Sequence, residues 1–396
     1  MTATIDRARP YMAALASELI KDEAIRTGPW AEAFATVPRH VFVPHWFQQE
    51  TNEKGITVWR QHHGATDDAT LSAVYSNKTL VTALDPTTAE QVDTTAWTGV
   101  PTSSSTLPSL MAGMLEDLDV SDGHRVLEIG TGTGYNAALL SARLGDRFVH
   151  SVDIDPELVD AAGRRLADAG YAPHLTTGDG TLGYPGGGGA FDRIIATCSV
   201  PSVPEGWLDQ SKSGTVLVTD VALGIEGGIV RLSVDEPRQA RGRFTKTAGR
   251  FMAARTEART YASPQRPQRA PQAETRPTAL TAAHIRTNYP FRLLLALQLP
   301  EAELVYHMDD ATGTTAIQIQ QPDGSWARVP LNGDITDMVT YGGDPGLWDR
   351  AEDAWLWWNK VGRPSQDSFG YSREQDGTAY AWYIPDGTRW NLSTTA

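Results

Sequence analysis

The chain has 396 residues, a net charge of −14 and 40% hydrophobic residues, which is typical of an ordinary globular protein of two or three domains. The acidic balance argues against a nucleic-acid binder, and the single cysteine, Cys198, excludes an intrachain disulfide and a cysteine-cluster metal site. Neither a membrane-spanning run nor a signal-peptide core is present, so we expect a cytoplasmic protein without metal, nucleic-acid or membrane contacts.

The N-terminal region, residues 7–47, is predicted to be helical because apolar side chains recur there at helical spacing. Two prolines frame residues 37–44 and would interrupt that helix. Within this frame, Arg39 and His40 either contact a peptide or pair locally. Residues 48–100 are polar and read as irregular, with residues 77–82 as their one clear strand candidate.

The middle of the chain, residues 102–260, alternates predicted strands and helices. The strands are residues 125–129, 148–153, 191–197 and 215–221, and a helix covers residues 135–144. Asp155 and Pro156 are expected to cap and open a further helix that ends at Gly170. This alternation predicts a mostly parallel sheet with right-handed crossovers.

A proline-rich polar stretch, residues 263–277, reads as a linker to a distinct C-terminal unit. That unit has strand candidates at residues 314–319 and 379–384 and an aromatic helix at residues 347–360. The helix carries Trp355, Trp357 and Trp358, and such a stripe is more often core than binding surface.

A glycine-rich turn with Gly130, Gly132 and Gly134 follows the strand 125–129. Glycines let the backbone approach a ligand, although a tight structural turn uses them equally. Asp153 ends the next strand, 23 residues after Gly130, where a carboxylate can accept from both ribose hydroxyls. Asp179 lies between two glycines, where it either accepts from an adenine amino group or forms a turn.

Two ligands match these features, a dinucleotide and S-adenosylmethionine. The glycines together with Ala137 satisfy a permissive dinucleotide fingerprint. Glu128, however, would repel a pyrophosphate but suits a cationic amino acid, and no second nucleotide-binding half follows Asp220. The sequence therefore favours S-adenosylmethionine as the cofactor.

The same motifs resemble the protein-L-isoaspartate O-methyltransferase family. The matching segments are an N-terminal signature at residues 37–44, a cofactor loop at 125–140, an adenine-side loop at 178–180 and a fourth strand at 191–195. The resemblance implies an α/β fold, the Rossmann-like class I methyltransferase with a doubly wound sheet. The implied parts are a catalytic domain at 1–260 with an insertion at 48–100, a linker at 261–278 and an extra α+β domain at 279–396.

The resemblance also implies roles for individual residues. Glu128 would hold the methionine end of the cofactor, Asp153 the ribose and Asp179 the adenine edge. The full set of implied cofactor-binding residues is Glu128, Gly130, Thr131, Gly132, Gly134, Asp153, Ile154, Gly178, Asp179, Gly180 and Thr197.

A substrate-contacting serine precedes the cofactor loop in that family. Matching its proline to Pro108 puts Thr106 at the hydroxyl position, with Ser104 and Ser105 beside it as further catalytic candidates. The alternative is that residues 103–106 only cap the following helix. We expect no catalytic role for Cys198.

The insertion and the C-terminal unit look like those of longer relatives that modify ribosomally made peptides, closest to the ATP-grasp-associated (graspetide) members. This resemblance implies methylation of an aspartate side chain in a cyclised peptide, followed by closure to an aspartimide. The alternative is a broad isoaspartyl repair enzyme. We expect residues 279–396 to dock through their tryptophans beside the insertion and to form a wall of the peptide cleft.

Overall fold

A computed structural model describes residues 2–52, 57–64, 67–186, 189–256, 273–308, 313–331 and 338–392. The helices are α1 (Thr2–Lys21), α2 (Gly28–Thr36), α3 (Arg39–Phe42), α4 (Asp68–Val74), α5 (Pro108–Leu118), α6 (Tyr135–Leu144), α7 (Pro156–Ala169), α8 (Glu205–Asp209), α9 (Ala282–Thr287), α10 (Tyr289–Gln298) and α11 (Gly346–Lys360). The first ten strands are β1 (His45–Thr51), β2 (Thr57–His63), β3 (Leu80–Leu84), β4 (Ala96–Trp97), β5 (Pro101–Ser105), β6 (Val126–Ile129), β7 (Val149–Asp153), β8 (His174–Thr177), β9 (Phe191–Val200) and β10 (Ser211–Ala222). The others are β11 (Gly227–Glu236), β12 (Gln239–Phe244), β13 (Glu274–Pro277), β14 (Glu303–Met308), β15 (Thr315–Gln320), β16 (Trp326–Pro330), β17 (Met338–Gly342), β18 (Phe369–Arg373), β19 (Ala379–Tyr383) and β20 (Arg389–Asn391).

Five parallel strands form the half of the main sheet that matches the sequence prediction. Their order is β8-β7-β6-β9-β10, and helices α6 and α7 connect successive strands. Local signals set these boundaries: Asp155 accepts from the backbone of Glu157 as the N-cap of α7, and Gly170 ends it in the left-handed conformation. The Rossmann-like α/β fold class is therefore confirmed.

The sheet as a whole is not mostly parallel, which corrects the sequence prediction. Antiparallel strands continue it beyond β10 in the order β11-β12-β18-β19-β20, giving ten strands in all. The last three come from the C-terminal part of the chain. The hydrophobic core crosses the same boundary, because Phe244 of β12 and Tyr371 of β18 belong to one buried cluster.

The insertion is folded, so the expectation of an irregular stretch at residues 48–100 was wrong. It supplies most of a second sheet with the order β4-β2-β1-β3-β5. Strands β1 and β2 pair in register from His45 opposite His63 to Thr51 opposite Thr57. Their side chains are mostly polar and half-buried, so the strands lack the hydrophobic alternation that would have revealed them.

The expected linker also ends in structure. Residues 274–277 form β13, which pairs with β17 in a third sheet ordered β13-β17-β16-β15-β14. The rest of the proline-rich stretch lies outside the described residues. The aromatic helix and both C-terminal strand candidates are confirmed as α11, β15 and β19. Among the described residues, no helix combines the length and the apolarity of a membrane span.

Candidate active site

A cavity of about 240 Å³ opens at the carboxyl ends of the parallel strands. This edge is where open α/β sheets bind ligands. The cavity is lined by Thr79, residues 102–106, 110–111, 128–133, 135–136, 152–154, 158, 180–181, 197–198 and 250–255. The insertion sheet therefore contributes β5 to the same cavity as the glycine turn.

The glycine turn has the backbone geometry that its sequence predicts. Gly130 has φ 94°, and a Cβ there would stand 3.0 Å from the Thr197 hydroxyl oxygen. Gly132 has φ 51°, and the nearest atom to its Cβ position is Ser103 Oγ of β5, at 3.9 Å. Side chains at these two positions would strain the turn and narrow the cavity.

Asp153 lies at the end of β7 and lines the cavity together with Ile154. Its Oδ2 accepts from Gly132 N at 2.8 Å, and its Oδ1 accepts from Asp155 N at 3.1 Å. Burial raises the pKa of this carboxyl, although both backbone hydrogen bonds act in the opposite direction. A carboxylate has about four acceptor sites, so Asp153 retains capacity for ribose hydroxyls.

Glu128 is fully buried and borders the cavity next to Asn136, in a chain of hydrogen bonds. Its Oε2 accepts from Ser151 Oγ at 2.6 Å and its Oε1 accepts from Asn136 Nδ2 at 2.8 Å. Thr131 Oγ1 lies 2.6 Å from Ser151 Oγ, and it is the donor when Glu128 is ionised, because the Ser151 proton is then committed. Burial raises the pKa of Glu128 to about 7.

Asn136 is a cavity residue that the sequence reasoning missed. Its amide is oriented by Glu128, and its Oδ1 is buried with no hydrogen-bond partner among the described residues. Together with the Thr131 oxygen it gives this end of the cavity hydrogen-bond acceptors, which suit an ammonium group. The sequence did contain a signal for Asn136, because it is a polar residue at the second position of the helix that follows the glycine turn.

The residues predicted for the adenine side lie only in part at the cavity. Gly180 and Thr181 line the cavity, whereas Gly178 and Asp179 are not among the lining residues. Asp179 Oδ1 accepts from the backbone and the hydroxyl of Thr181, so the carboxylate serves as a cap. Asp179 therefore forms a turn in this structure, and its contact with the adenine amino group stays a prediction.

Strand β5 and the residue after it carry the predicted catalytic hydroxyls. Ser103 Oγ lies 3.2 Å from Thr82 Oγ1, and Ser105 Oγ accepts from the Arg39 guanidinium at 3.3 Å, so both are engaged inside the protein. Ser104 and Thr106 are half-buried and line the cavity. Their alternation with the engaged serines favours Thr106 and Ser104 over Ser105 as substrate contacts.

The capping alternative for this segment is wrong. Helix α5 has Leu107 as its N-cap, with no side-chain cap hydrogen bond. Ser109 N instead donates to Asn77 Oδ1 at 3.0 Å, which comes from the insertion. The hydroxyls of residues 103–106 are thus not used by the helix.

Arg39 and His40 pair locally and are not exposed to a peptide. Arg39 is fully buried and donates to backbone carbonyl oxygens of the insertion and of the β5 segment. These acceptors are Val74 O, Ser76 O, Lys78 O, Ser105 O and Thr106 O. His40 Nδ1 lies 2.7 Å from Tyr75 OH. Arg39 thus fixes the backbone that presents Thr106.

The sequence reasoning also missed residues 250–255, which we call the strap. They line the cavity after β12, and Ala253 forms a parallel bridge with Ser199 at the end of β9. The strap includes two arginines, Arg250 and Arg255. The sequence shows no helical or strand periodicity here, because residues 250–255 form neither a helix nor a full strand.

Cys198 also lines the cavity, but burial raises the pKa of its thiol to about 12. The thiolate is the nucleophilic form, so this environment argues against a nucleophile and agrees with our expectation.

The described residues from 273 onward contribute nothing to the cavity lining, which corrects the predicted wall of the cleft. Trp355 and Trp358 are buried against Phe291 of α10, and Trp357 packs on Tyr383 and Trp390. The tryptophans are therefore core residues of the C-terminal part, as the aromatic stripe predicted, and they are not a docking face beside the insertion.

The parallel strand order, the glycine turn and the acid that ends the second strand define a nucleoside-binding α/β domain. Residues 88–248 match the family described as protein-L-isoaspartate(D-aspartate) O-methyltransferase. This part of the chain, which is less than half of its length, is therefore similar to that family.

Individual relatives agree with this match. A protein-L-isoaspartate O-methyltransferase of Methanosarcina mazei is 40% identical over 116 residues, covering 29% of this chain and 47% of the relative. One of Thermococcus onnurineus is 43% identical over 116 residues, covering 29% and 52%. The chain thus spans about half the length of the curated relatives it matches.

Two solved structures are also similar. One described as a protein-L-isoaspartate O-methyltransferase aligns with TM-score 0.49 and 20% identity, over 91% of this chain and 96% of the other. Another, from Plasmodium falciparum with bound S-adenosyl-L-homocysteine, aligns with TM-score 0.44 and 12% identity, over 62% and 98%.

The cavity fits S-adenosylmethionine. The free acceptor of Asn136, beside the carboxylate of Glu128, suits the ammonium group of the methionine end. Asp153 has acceptor capacity for the ribose, and the positive φ angles at Gly130 and Gly132 leave room against the backbone. Thr197 Oγ1, which also lines the cavity, donates to Gly130 O at 2.9 Å and so supports the turn.

Proposed function

We propose that the protein is an S-adenosylmethionine-dependent methyltransferase that esterifies a carboxylate of a peptide. The observation that carries the proposal is the meeting of two surfaces in one cavity: the cofactor cradle of Glu128, Asn136 and Asp153, and the hydroxyl-bearing strand β5. When bound, S-adenosylmethionine supplies an electrophilic methyl group, which a carboxylate oxygen takes as the sulfonium S–C bond breaks and the thioether leaves.

In this reaction the residues of the protein position the two reactants. A carboxylate is ionised at neutral pH, so no general base is required. Thr106 would donate a hydrogen bond to the acceptor carboxylate, and Arg255 would add positive charge at the cavity border. Fixing two reactants in alignment lowers the barrier by several kcal/mol, up to ~7–11 kcal/mol.

The acceptor is proposed to be part of a peptide because of where β5 lies. It is the edge strand of the insertion sheet, and residues 102–106 all line the cavity. An extended peptide can add to an exposed strand edge through backbone hydrogen bonds. This placement would bring a side chain of the peptide to Thr106.

We further propose that the natural acceptor is an aspartate side chain of a ribosomally made, post-translationally cyclised peptide, in the cytoplasm. The folded insertion that delivers β5 supports a shaped acceptor site. After esterification, the amide nitrogen of the next residue attacks the ester carbonyl, methanol leaves, and a succinimide forms. The ester therefore differs from the starting peptide by a methyl group in place of a proton. The succinimide differs from the starting peptide by the loss of one water.

The second candidate is repair of isoaspartyl residues in damaged proteins, which the names of the curated relatives favour. Mass spectrometry separates the two functions. The protein is incubated with S-adenosylmethionine and three synthetic peptides: an isoaspartyl peptide, its linear aspartyl isomer, and a side-chain-cyclised aspartyl peptide. Faster esterification of the cyclised peptide supports our proposal, and faster esterification of the isoaspartyl peptide supports repair. A stable methyl group on nitrogen or on the terminal carboxylate contradicts both.

A further inference from the structure

Hydrogen bonds of its backbone amide and carbonyl groups hold the strap to the ends of two strands of the main sheet. Ser199 N donates to Met252 O at 2.9 Å and Ala254 N donates to Ser199 O at 2.8 Å, both at the end of β9. Phe251 N donates to Asp220 Oδ2 at 2.9 Å, at the end of β10. These bonds place the strap residues against the ends of two parallel strands.

A third attachment joins the first strap residue to the C-terminal part of the chain. Glu226, which is 7% exposed, lies at the turn between β10 and β11. Its Oε1 accepts from Arg250 Nη1 at 2.6 Å, and its Oε2 accepts from Arg292 Nε of helix α10 at 2.8 Å. One carboxylate therefore links the cavity border to α10.

The α10 side of this link is itself fixed. Arg292 Nη1 donates to Ile285 O at 3.0 Å and to Arg286 O at 2.6 Å, so its guanidinium cannot swing freely. Tyr289 OH donates to Gly227 O at 2.7 Å, which ties the start of α10 to the residue after Glu226. The turn is thus held by two side chains of one helix.

The charges make the arrangement sensitive to the loss of any member. Asp220 and Glu226 are buried, and Arg250 and Arg292 balance them. Removing one partner from a buried ion network leaves an uncompensated charge, which the remaining groups relieve by moving. Without Arg292, Glu226 would have Arg250 as its one cationic partner in the described part of the chain.

We propose that the C-terminal part of the chain acts on methyl transfer through this link, with Arg292 as a positioning residue that sets the strap by way of Glu226. The inference rests on the proposed function for its effect on catalysis. It assigns the C-terminal part a role even though its described residues do not line the cavity. The role that we assign to it is to hold the strap at the border of the cavity, and not to line the cavity itself.

The test uses the full-length protein and hydrogen–deuterium exchange of the segment containing residues 249–256. Arg292→Met is expected to raise the exchange of the Phe251 and Ala254 amides about tenfold, since local opening becomes easier. Arg292→Lys, which keeps the positive charge on an ammonium group, is expected to return exchange most of the way to the parent value. If Arg292→Met does not fold, the Lys variant and Glu226→Gln carry the same comparison.

The matched control is Arg276→Met, which removes ion pairs to Asp349 and Glu352 within the C-terminal part but does not touch Glu226. It is expected to leave strap exchange unchanged. Equal exchange in the parent and Arg292→Met, or an equal rise in Arg292→Met and Arg276→Met, would overturn the proposal.

Kinetics provide the second readout, with the synthetic peptide that the parent esterifies fastest. Arg292→Met is expected to raise the KM for the peptide about tenfold while the Kd for S-adenosylhomocysteine stays within about twofold. A change confined to the cofactor Kd would count against the inference. If the parent methylates none of the peptides, the proposed function fails, and the exchange experiment still decides whether α10 holds the strap.

Discussion

Glu128 combines full burial with a position beside the free acceptor of Asn136, so its ionisation should respond to a bound cation. Burial raises its pKa to about 7, partly offset by the hydrogen bonds from Ser151 and Asn136. An ammonium group favours the ionised form and lowers that pKa. Ligand binding below pH 7 must therefore expel a proton, so affinity should fall as pH falls.

We predict that the Kd of S-adenosylhomocysteine rises about tenfold between pH 8 and pH 6, because one carboxyl with a pKa near 7 must lose its proton. Calorimetry in two buffers of different ionisation enthalpy should detect proton release near pH 7. In Glu128→Gln the release should vanish. Proton release of the same size in that variant would assign it to another group, such as Asp153.

Arg39 is a second residue whose role depends on burial. It donates to five backbone carbonyl oxygens, all from residues 74–106. Leaving a buried acceptor unsatisfied costs ~1–3 kcal/mol, so Arg39→Met should lower the free energy of unfolding by at least ~3 kcal/mol. Urea denaturation measures this free energy of unfolding. Arg9→Met, at an exposed arginine, should change it by less than ~0.5 kcal/mol.

The site residues that could be predicted from the sequence are those whose position depends on the local secondary structure alone. Gly130 and Asp153 sit at a strand end, which periodicity locates, and both line the cavity. Arg39 and Asn136 could not be assigned in this way. The acceptors of Arg39 lie 35–67 residues away in the chain, and the free oxygen of Asn136 is defined only by what surrounds it in space.

At the scale of elements, β5 decides which hydroxyls reach the substrate. Ser103 and Ser105 are buried with their hydroxyls engaged inside the protein, whereas Ser104 and Thr106 are half-buried at the cavity. The assignment of Thr106 to the acceptor carboxylate remains a prediction, and it can be tested against its neighbour.

We predict that Thr106→Ala lowers kcat/KM for the peptide by about ten- to a hundred-fold, the usual value of a hydrogen bond to a charged group. The Kd of S-adenosylhomocysteine should stay the same, and Thr106→Ser should keep most of the activity. Steady-state kinetics with the fastest synthetic peptide is the measurement. A parent-like rate in Thr106→Ala, with loss of rate in Ser104→Ala, would move the role to Ser104.

Strands β6, β7, β9 and β10 and helices α6 and α7 were predictable because each is marked locally, by buried strand runs, by caps and by glycines that end helices. The insertion sheet was not, because its strands carry half-buried polar side chains such as His45, Arg60 and Gln61. Such strands are stabilised by their pairing partners, and pairing between β1 and β3 or β3 and β5 is not encoded in a short window.

The whole molecule differs from the predicted arrangement of separable parts. The division into two domains, residues 1–260 and 279–396, stays a prediction. Strand β18 of the second part, however, pairs with β12 of the first along residues 240–243, so both parts share one sheet. Ring contacts cross the same boundary, with Phe244 and Tyr371 centroids 6.4 Å apart. Pairing across some 130 residues is a non-local contact that composition alone could not reveal.

This continuity predicts that the protein unfolds as one cooperative unit. Removing the chain after residue 256 would expose the edge of β12 and uncover Phe244, Val230 and Leu232, which are buried in the shared core. An exposed flat edge beside bare apolar side chains leads to aggregation or unfolding. We therefore expect the 1–256 fragment to be insoluble or to lack cooperative unfolding, and not to bind S-adenosylhomocysteine.

Differential scanning calorimetry of the full-length protein provides the matching measurement. It should show one transition, with the van 't Hoff enthalpy equal to the calorimetric enthalpy, and S-adenosylhomocysteine should move the whole transition upward. Two transitions, of which the ligand shifts only one, would mean that residues 279–396 unfold independently. A soluble 1–256 fragment with parent affinity for the ligand would lead to the same conclusion, because the parallel half of the sheet would then fold without β18.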